Sequence, residues 1–275
     1  MIELNKVYNE NCLDTMGRME DCFVDLTVTS PPYDNLRQYK DGVDKTWGES
    51  VWKPIIKELH RVTKEGGVVV WIVSDATIDG SESGTSFRQA LWAMECGFNL
   101  HDTMIWCKDG GGAIGSNYTY TQNFEYMFVW SKGTPKTINL IYDKQNLSFR
   151  ERHNIGRNSE VKIHESRGGK DKGDRGYTTY KPNEMSRRNN WWYMVPHKHD
   201  GSKFHPAVFP EELCRDHILS WSNEEDIVYD PFMGSGTTAK MSQINNRKWI
   251  GSEISEEYCK KIEKRIAPNM VPRLF

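Results

Sequence analysis

Residues 29–33 read Thr-Ser-Pro-Pro-Tyr, directly after a β-rich run, DLTVTS at 25–30. Two successive prolines lock φ and remove two backbone donors. What remains is a rigid set of acceptors: the carbonyls of Ser30, Pro31 and Pro32, the Ser30 hydroxyl, and beside them the flat face of Tyr33. Such a set suits an amino group attached to a heteroaromatic base. That nitrogen is a poor nucleophile because its lone pair is delocalised into the ring. Holding both N–H bonds with Ser30 and a proline carbonyl, out of the planar geometry, returns lone-pair density to nitrogen and aims it at an electrophile. Alignment and preorganised acceptors then supply the rate, and Tyr33 stacks on a base swung out of its helix. Ser30, Pro31, Pro32 and Tyr33 are therefore the catalytic candidates. None of the six cysteines follows a proline, and this chemistry needs no thiolate. Taken alone, the motif is equally compatible with a strand, a Pro-Pro turn and a packed tyrosine.

A second motif narrows the reading. The segment DIVYDPFMGSGTTAKMSQINNRKWIGSEIS (226–255) reads as strand, glycine turn, helix and strand. Gly234 and Gly236 permit a tight turn with no Cβ in the way of a ligand, and the helix that follows leaves backbone N–H groups unpaired at its start. Glu253 ends the next strand, where a carboxylate can accept hydrogen bonds from both hydroxyls of a ribose. The string lacks the GxGxxG of a dinucleotide site and the GK[ST] of a phosphate loop. An acidic residue, an aromatic, two glycines and a downstream Glu instead fit S-adenosylmethionine: Glu253 for the adenosine end, and backbone donors with the cavity beside Phe232 for the methionine end. The cofactor-contact candidates are Asp230, Phe232, Gly234, Ser235, Gly236, Thr237, Thr238 and Glu253.

The elements that must carry these turns are legible as an α/β pattern. ESVWKPIIKELHRV (49–62) places Trp52, Ile55, Ile56, Leu59 and Val62 at helical spacing. GVVVWIV (67–73) is a continuous apolar run, as expected of a strand covered on both faces. A helix at 85–96, strands near 99–106 and 124–130, and a helix from Pro210 onward continue the alternation, which predicts a doubly wound layer structure. Net charge is −2, but residues 133–203 hold 15 Lys and Arg against 8 Asp and Glu, in a stretch rich in Gly, Asn and Ser. A long irregular segment of that charge is a candidate polyanion contact. Mean hydropathy is −0.71, no apolar run reaches the roughly 20 residues of a membrane span, and no signal peptide is visible, so a cytoplasmic protein is expected. No cysteine pair has metal-ligand spacing, and no metal is expected.

Together the motifs resemble the β group of amino-methylating DNA methyltransferases, in which the SPPY or DPPY region precedes the recognition region and the glycine-rich motif comes last. Here the order is TSPPY at 29–33, the basic stretch at 133–203, HPAVFPEEL at 205–213 and DPFMGSGTT at 230–238. The likeness covers 1–132 and 204–266, while the middle matches in position and composition. It implies a Rossmann-like methyltransferase sheet of seven strands in circularly permuted order, divided into a catalytic half (1–132), a target-recognition insertion (133–203) and a cofactor-binding half (204–275). It also implies that 205–213 borders the methionine end of S-adenosylmethionine. Ser rather than Asp before Pro-Pro-Tyr resembles the N4-cytosine branch, and N6-adenine remains the alternative. Relatives often carry Gly-Asp-Cys near the N-terminus, with the Asp on the cofactor's adenine. This chain has Glu10-Asn11-Cys12, so Asn11 is either that contact or an ordinary turn residue.

The resemblance implies double-stranded DNA as substrate and allows a cognate restriction endonuclease. Candidate DNA contacts are Arg37, close after the catalytic turn, and Arg150, Arg152, Arg157, Arg187 and Arg188 in the basic stretch. Trp191 and Trp192 read as packing residues. An RNA methyltransferase would not need the basic insertion, and a non-catalytic DNA-binding module would have no use for both motifs. Monomer and homodimer both stay open.

Overall fold

In the computed structural model the apolar run at 67–73 lies in the interior of an eight-stranded sheet. The structure describes residues 2–32, 47–108, 120–145, 161–163, 178–180, 184–195, 205 and 208–267. The sheet strands, in chain order, are β1 (Lys6–Tyr8), β2 (Val24–Thr29), β3 (Thr63–Val73), β4 (Asn99–Cys107), β5 (Phe124–Ser131), β6 (Trp191–Tyr193), β7 (Ile227–Asp230) and β8 (Lys248–Ser252). Across the sheet they run β1-β8-β7-β2-β3-β5-β4-β6. Every neighbouring pair is parallel except those made by β5, which is antiparallel to β3 and β4. The apolar pattern of FEYMFVW foretells a buried strand but carries no direction, so this reversal is a finding of the structure.

The helices are α1 (Cys12–Gly17), α2 (Glu49–Val62), α3 (Thr85–Glu95), α4 (Glu211–Trp221), α5 (Thr237–Ile244) and α6 (Glu256–Ile266). The α2 stripe expected from its spacing, Trp52, Ile55, Ile56, Leu59 and Val62, is buried throughout. Helices α1, α2 and α3 pack in series, as do α4, α5 and α6. Both series lie on the sheet, so that Val68 to Val73 are sealed from solvent at every position. Trp71 stacks on Trp130 with ring centroids 5.3 Å apart, and its indole N–H donates to Gln89 Oε1 at 2.8 Å, which meets the buried donor's need for a partner.

Strands β2 and β7 come from opposite ends of the chain and lie side by side. From β7 the chain continues outward through β8, and from β2 it continues outward through β3 on the other side. This is a topological switch point, where connections leave in opposite directions and open a crevice beyond the strands' carboxyl ends. Both motifs sit there: Thr29 ends β2 and Asp230 ends β7.

Contacts within the chain also separate a small unit, 140–189, from the larger unit formed by 1–139 and 190–275. Inside the small unit Lys144–Gln145 pairs antiparallel with Met185–Ser186, and Val161–Ile163 with Thr178–Tyr180. β6, although it falls in the stretch read as an insertion, belongs to the large sheet beside β4. Its Trp192 is buried and stacks on His217 of α4 at 4.5 Å.

Candidate active site

Ser30 follows the last residue of β2 and is half-buried, Pro31 is buried and Pro32 half-buried. The residue before them fixes where they stand. Thr29 Oγ1 donates to Asp230 Oδ1 at 2.6 Å, crossing from β2 to β7. Asp230 accepts two further bonds, from the Phe232 N–H at 3.0 Å and from Thr238 Oγ1 at 2.8 Å. Thr238 Oγ1 also lies 3.1 Å from the Val28 carbonyl. Asp230 is 1% exposed, and burial pushes its carboxyl up to about 6 despite these three donors. The sequence places Asp230 among cofactor contacts. In the fold its oxygens are engaged in joining the end of the Pro-Pro strand to both sides of the glycine turn.

The glycine turn needs its glycines. Gly234 has φ +50° and Gly236 φ +77°, both in the left-handed region. A Cβ at Gly236 would stand 2.9 Å from Ile262 Cγ2, and one at Gly234 would stand 3.0 Å from His205 Nε2. The Gly234 N–H donates to Glu253 Oε2 at 2.8 Å, and the Ser255 N–H to Glu253 Oε1 at 2.9 Å. Burial raises the Glu253 carboxyl to about 7, offset in part by these bonds and increased by the neighbouring Asp230. An ionised carboxylate has about four acceptor sites. Two donors leave Glu253 capacity for a vicinal diol.

The remaining cofactor candidates split by orientation. Phe232 meets Trp47 edge-on at 5.4 Å and Trp71 at 6.1 Å, forming an aromatic wall beside the turn. Ser235, Thr237 and Thr238 are all buried. Ser235 Oγ and Thr237 Oγ1 are 3.0 Å apart, and Thr238 points to Asp230. Their side chains thus brace the turn, and the start of α5 presents backbone donors. Asn11 is exposed and caps α1, accepting from the Leu13 N–H at 2.9 Å. This donor and acceptor set fits S-adenosylmethionine: a carboxylate for the ribose, an aromatic face for a sulfonium and a helix N-terminus for a carboxylate.

The family described as DNA methylase, the N6/N4 type, matches residues 24–264. The chain belongs to this family. It is 52% identical over 256 residues to the orphan methyltransferase M.BamHII of Bacillus amyloliquefaciens, covering 90% of this chain and 89% of that one. Among solved structures it resembles the cytosine-N4-specific PvuII DNA methyltransferase, with TM-score 0.66 at 17% identity over 98% of this chain and 87% of that one. It also resembles TTHA0409 of Thermus thermophilus, complexed with S-adenosyl-L-methionine, with TM-score 0.62 at 18% identity over 97% and 96%. The chain is a DNA methyltransferase of the Rossmann-like fold, and its methyl donor is S-adenosylmethionine.

In this methyltransferase no thiolate stands ready beside the switch point. Burial pushes the Cys12 and Cys259 thiols up to about 12 and Cys214 higher still, far from the range of reactive cysteines. Among the described residues no cluster of His, Cys, Asp and Glu could hold a metal, and no helix is long and apolar enough to cross a membrane. Tyr33, Arg37, Arg150, Arg152 and Arg157 lie outside the described residues. Of the two arginines that are described, Arg187 is exposed. Arg188 is held by Asp143 through Nε at 2.7 Å and through Nη2.

Three residues in contact with the two turns carry no role in the sequence reading. Thr29 carries a signal in hindsight, an inward hydroxyl immediately before Ser-Pro-Pro. Trp47 carries none, since its contact with Phe232 joins residues far apart in the chain. Arg265 lies three residues after Ile262 on the buried stripe of α6, where a cation demands partners.

Proposed function

We propose that the enzyme methylates N4 of cytosine in double-stranded DNA, on a base turned out of the duplex and without a covalent enzyme intermediate. Direct transfer is supported by the Thr29–Asp230 bond, which sets Ser30 and its two prolines beside the glycine turn at one switch point, and the choice of cytosine by Ser rather than Asp before Pro-Pro-Tyr. Ser30 Oγ and a proline carbonyl accept the two amino protons of the target and turn its lone pair out of conjugation. S-adenosylmethionine, when bound, supplies an electrophilic methyl group and keeps the bonding pair as sulfur becomes a thioether. The nitrogen sheds its surplus proton to water. Glu253 holds the ribose, the glycine turn and Phe232 hold the methionine end, and Tyr33 stacks on the flipped base. Asn11, one residue before α1, borders the adenine. Asp230 and Thr238 serve as positioning residues, since their polar atoms are spent on the joint between the two turns.

The basic stretch at 133–203 contacts the DNA, with exposed Arg187 at the backbone and Arg37, Arg150, Arg152 and Arg157 as further contacts. Arg188 contributes through its ion pair with Asp143, by shaping the small unit. Work on DNA suits an enzyme of the cytoplasm, with or without a cognate endonuclease. The test is mass spectrometry of nucleosides from DNA methylated in vitro, run with wild type and Ser30→Ala. N4-methylcytosine from wild type, with a rate about 100-fold lower in the variant and unchanged cofactor binding, is expected from the loss of one preorganised acceptor. N6-methyladenine would overturn the base assignment. An undiminished rate in Ser30→Ala would overturn the mechanism.

A further inference from the structure

The C-terminal helix α6 opens on Ser255, whose side chain accepts from the Tyr258 N–H, and buries Cys259, Ile262 and Ile266. Arg265 falls on the same buried face, with 3% of its side chain exposed. A buried guanidinium survives only if its donors find acceptors, and here they lie on the glycine turn and at the start of α4. Nη1 donates to the Ser235 carbonyl at 2.6 Å and lies 3.2 Å from Thr237 Oγ1. Nη2 donates to Glu211 Oε1 at 2.5 Å, the oxygen that also receives Lys240 Nζ at 2.8 Å. Glu211 opens α4, inside the 205–213 segment.

One side chain thus grips the peptide between Ser235 and Gly236, the first residue of α5, and the first residue of α4. Gly236, at φ +77°, has no side chain of its own to hold that peptide in place, so the orientation of the turn is set from behind. Arg265 also sits in the last turn of α6, whose negative end favours a cation, while the nearby positive end of α5 disfavours one.

We propose that Arg265 is a positioning residue for the methionine end of S-adenosylmethionine. It fixes the Ser235–Gly236 peptide, and with it the donors at the start of α5, against the α4 segment. The adenosine end, held by Glu253, which is tied to the turn through the Gly234 N–H and not through Ser235, does not depend on it. The inference rests on binding of this cofactor in the glycine turn.

Two ligands separate this role from a purely structural one. S-adenosylhomocysteine carries the amino-acid end, and 5′-methylthioadenosine lacks it. Titration calorimetry on the full chain would measure both against wild type, Arg265→Ala and Arg265→Lys, with thermal melting of each apo protein alongside. Arg265→Ala is expected to weaken S-adenosylhomocysteine tenfold or more and 5′-methylthioadenosine less than twofold. Arg265→Lys keeps the charge but not the fork, and is expected to show an intermediate loss confined to S-adenosylhomocysteine. It serves as the measurement should the alanine variant not fold. Equal weakening of both ligands, or no weakening of either, would overturn the proposal. Failure of wild type to bind S-adenosylhomocysteine would instead remove the cofactor reading beneath it.

Discussion

The two turns at the switch point achieve a fixed geometry by opposite means. The Pro-Pro turn is stiff by covalent constraint, since its φ angles are set before folding. The glycine turn is the most permissive backbone available, with Gly234 and Gly236 both at positive φ, and is made rigid only by what surrounds it. Glu253 holds Gly234, Arg265 holds Ser235, and Asp230 holds Phe232 and Thr238. On the proposed mechanism the first turn keeps acceptors in place for a substrate that comes and goes. On the same reading the second lets backbone approach a ligand closely, which favours residues without a Cβ at 234 and 236 and moves the rigidity to neighbours such as Glu253 and Arg265.

If the glycine turn's order is borrowed in this way, its own residues should tolerate change least. Gly236→Val adds a Cβ 2.9 Å from Ile262 Cγ2 in a left-handed conformation, a strain of about 1–2 kcal/mol before the clash is counted. Cofactor affinity measured by calorimetry is expected to fall about 100-fold. Retention within threefold would mean that the turn is not as tightly held as its surroundings imply.

The joint between the turns is the next point of attack. Thr29→Val keeps the shape but leaves a buried Asp230 oxygen without one of its donors, a change worth about 1–3 kcal/mol. Methyl transfer at saturating cofactor and DNA is expected to slow about 30-fold while cofactor affinity changes less than threefold. The Thr29 bond also holds the Asp230 carboxyl below where burial alone would put it, so the acid limb of the kcat profile should move to higher pH. Equal losses in kcat and in cofactor affinity would show that the two turns are not separable.

The smallest expected effect is in pH dependence. The Glu253 carboxyl, raised from 4.5 to about 7, has on the proposed reading its full capacity for both hydroxyls of a diol when ionised and less when protonated. Cofactor affinity should therefore improve about tenfold between pH 6 and pH 8, as one ionisation near 7 requires. For the protein without cofactor the sign is opposite. A raised carboxyl contributes stability that is full below about pH 4.5 and is lost as pH rises through about 7. The increase in Tm on adding cofactor should thus grow with pH, and Glu253→Gln should flatten both trends. A wild-type affinity that does not vary with pH would remove Glu253 from the ribose.

Much of this site was legible in the chain itself. TSPPY and DPFMGSGTT each state their local geometry, because proline and glycine act on the backbone of their own residue and need no distant partner. The strand and helix periods around them are equally local, and α2 spans the residues its spacing predicts. What the sequence could not convey was every interaction set by adjacency of β2 and β7. Thr29 and Asp230 are separated by 201 positions, and their meeting depends on strand order, which no local pattern encodes. The same reason hid the direction of β5, the contact of Trp47 with Phe232 and the grip of Arg265 on Ser235. The sequence alone nominated the groups proposed to carry the chemistry. Only the tertiary structure decided that Asp230 joins the turns, because a buried carboxylate takes the donors that packing brings to it.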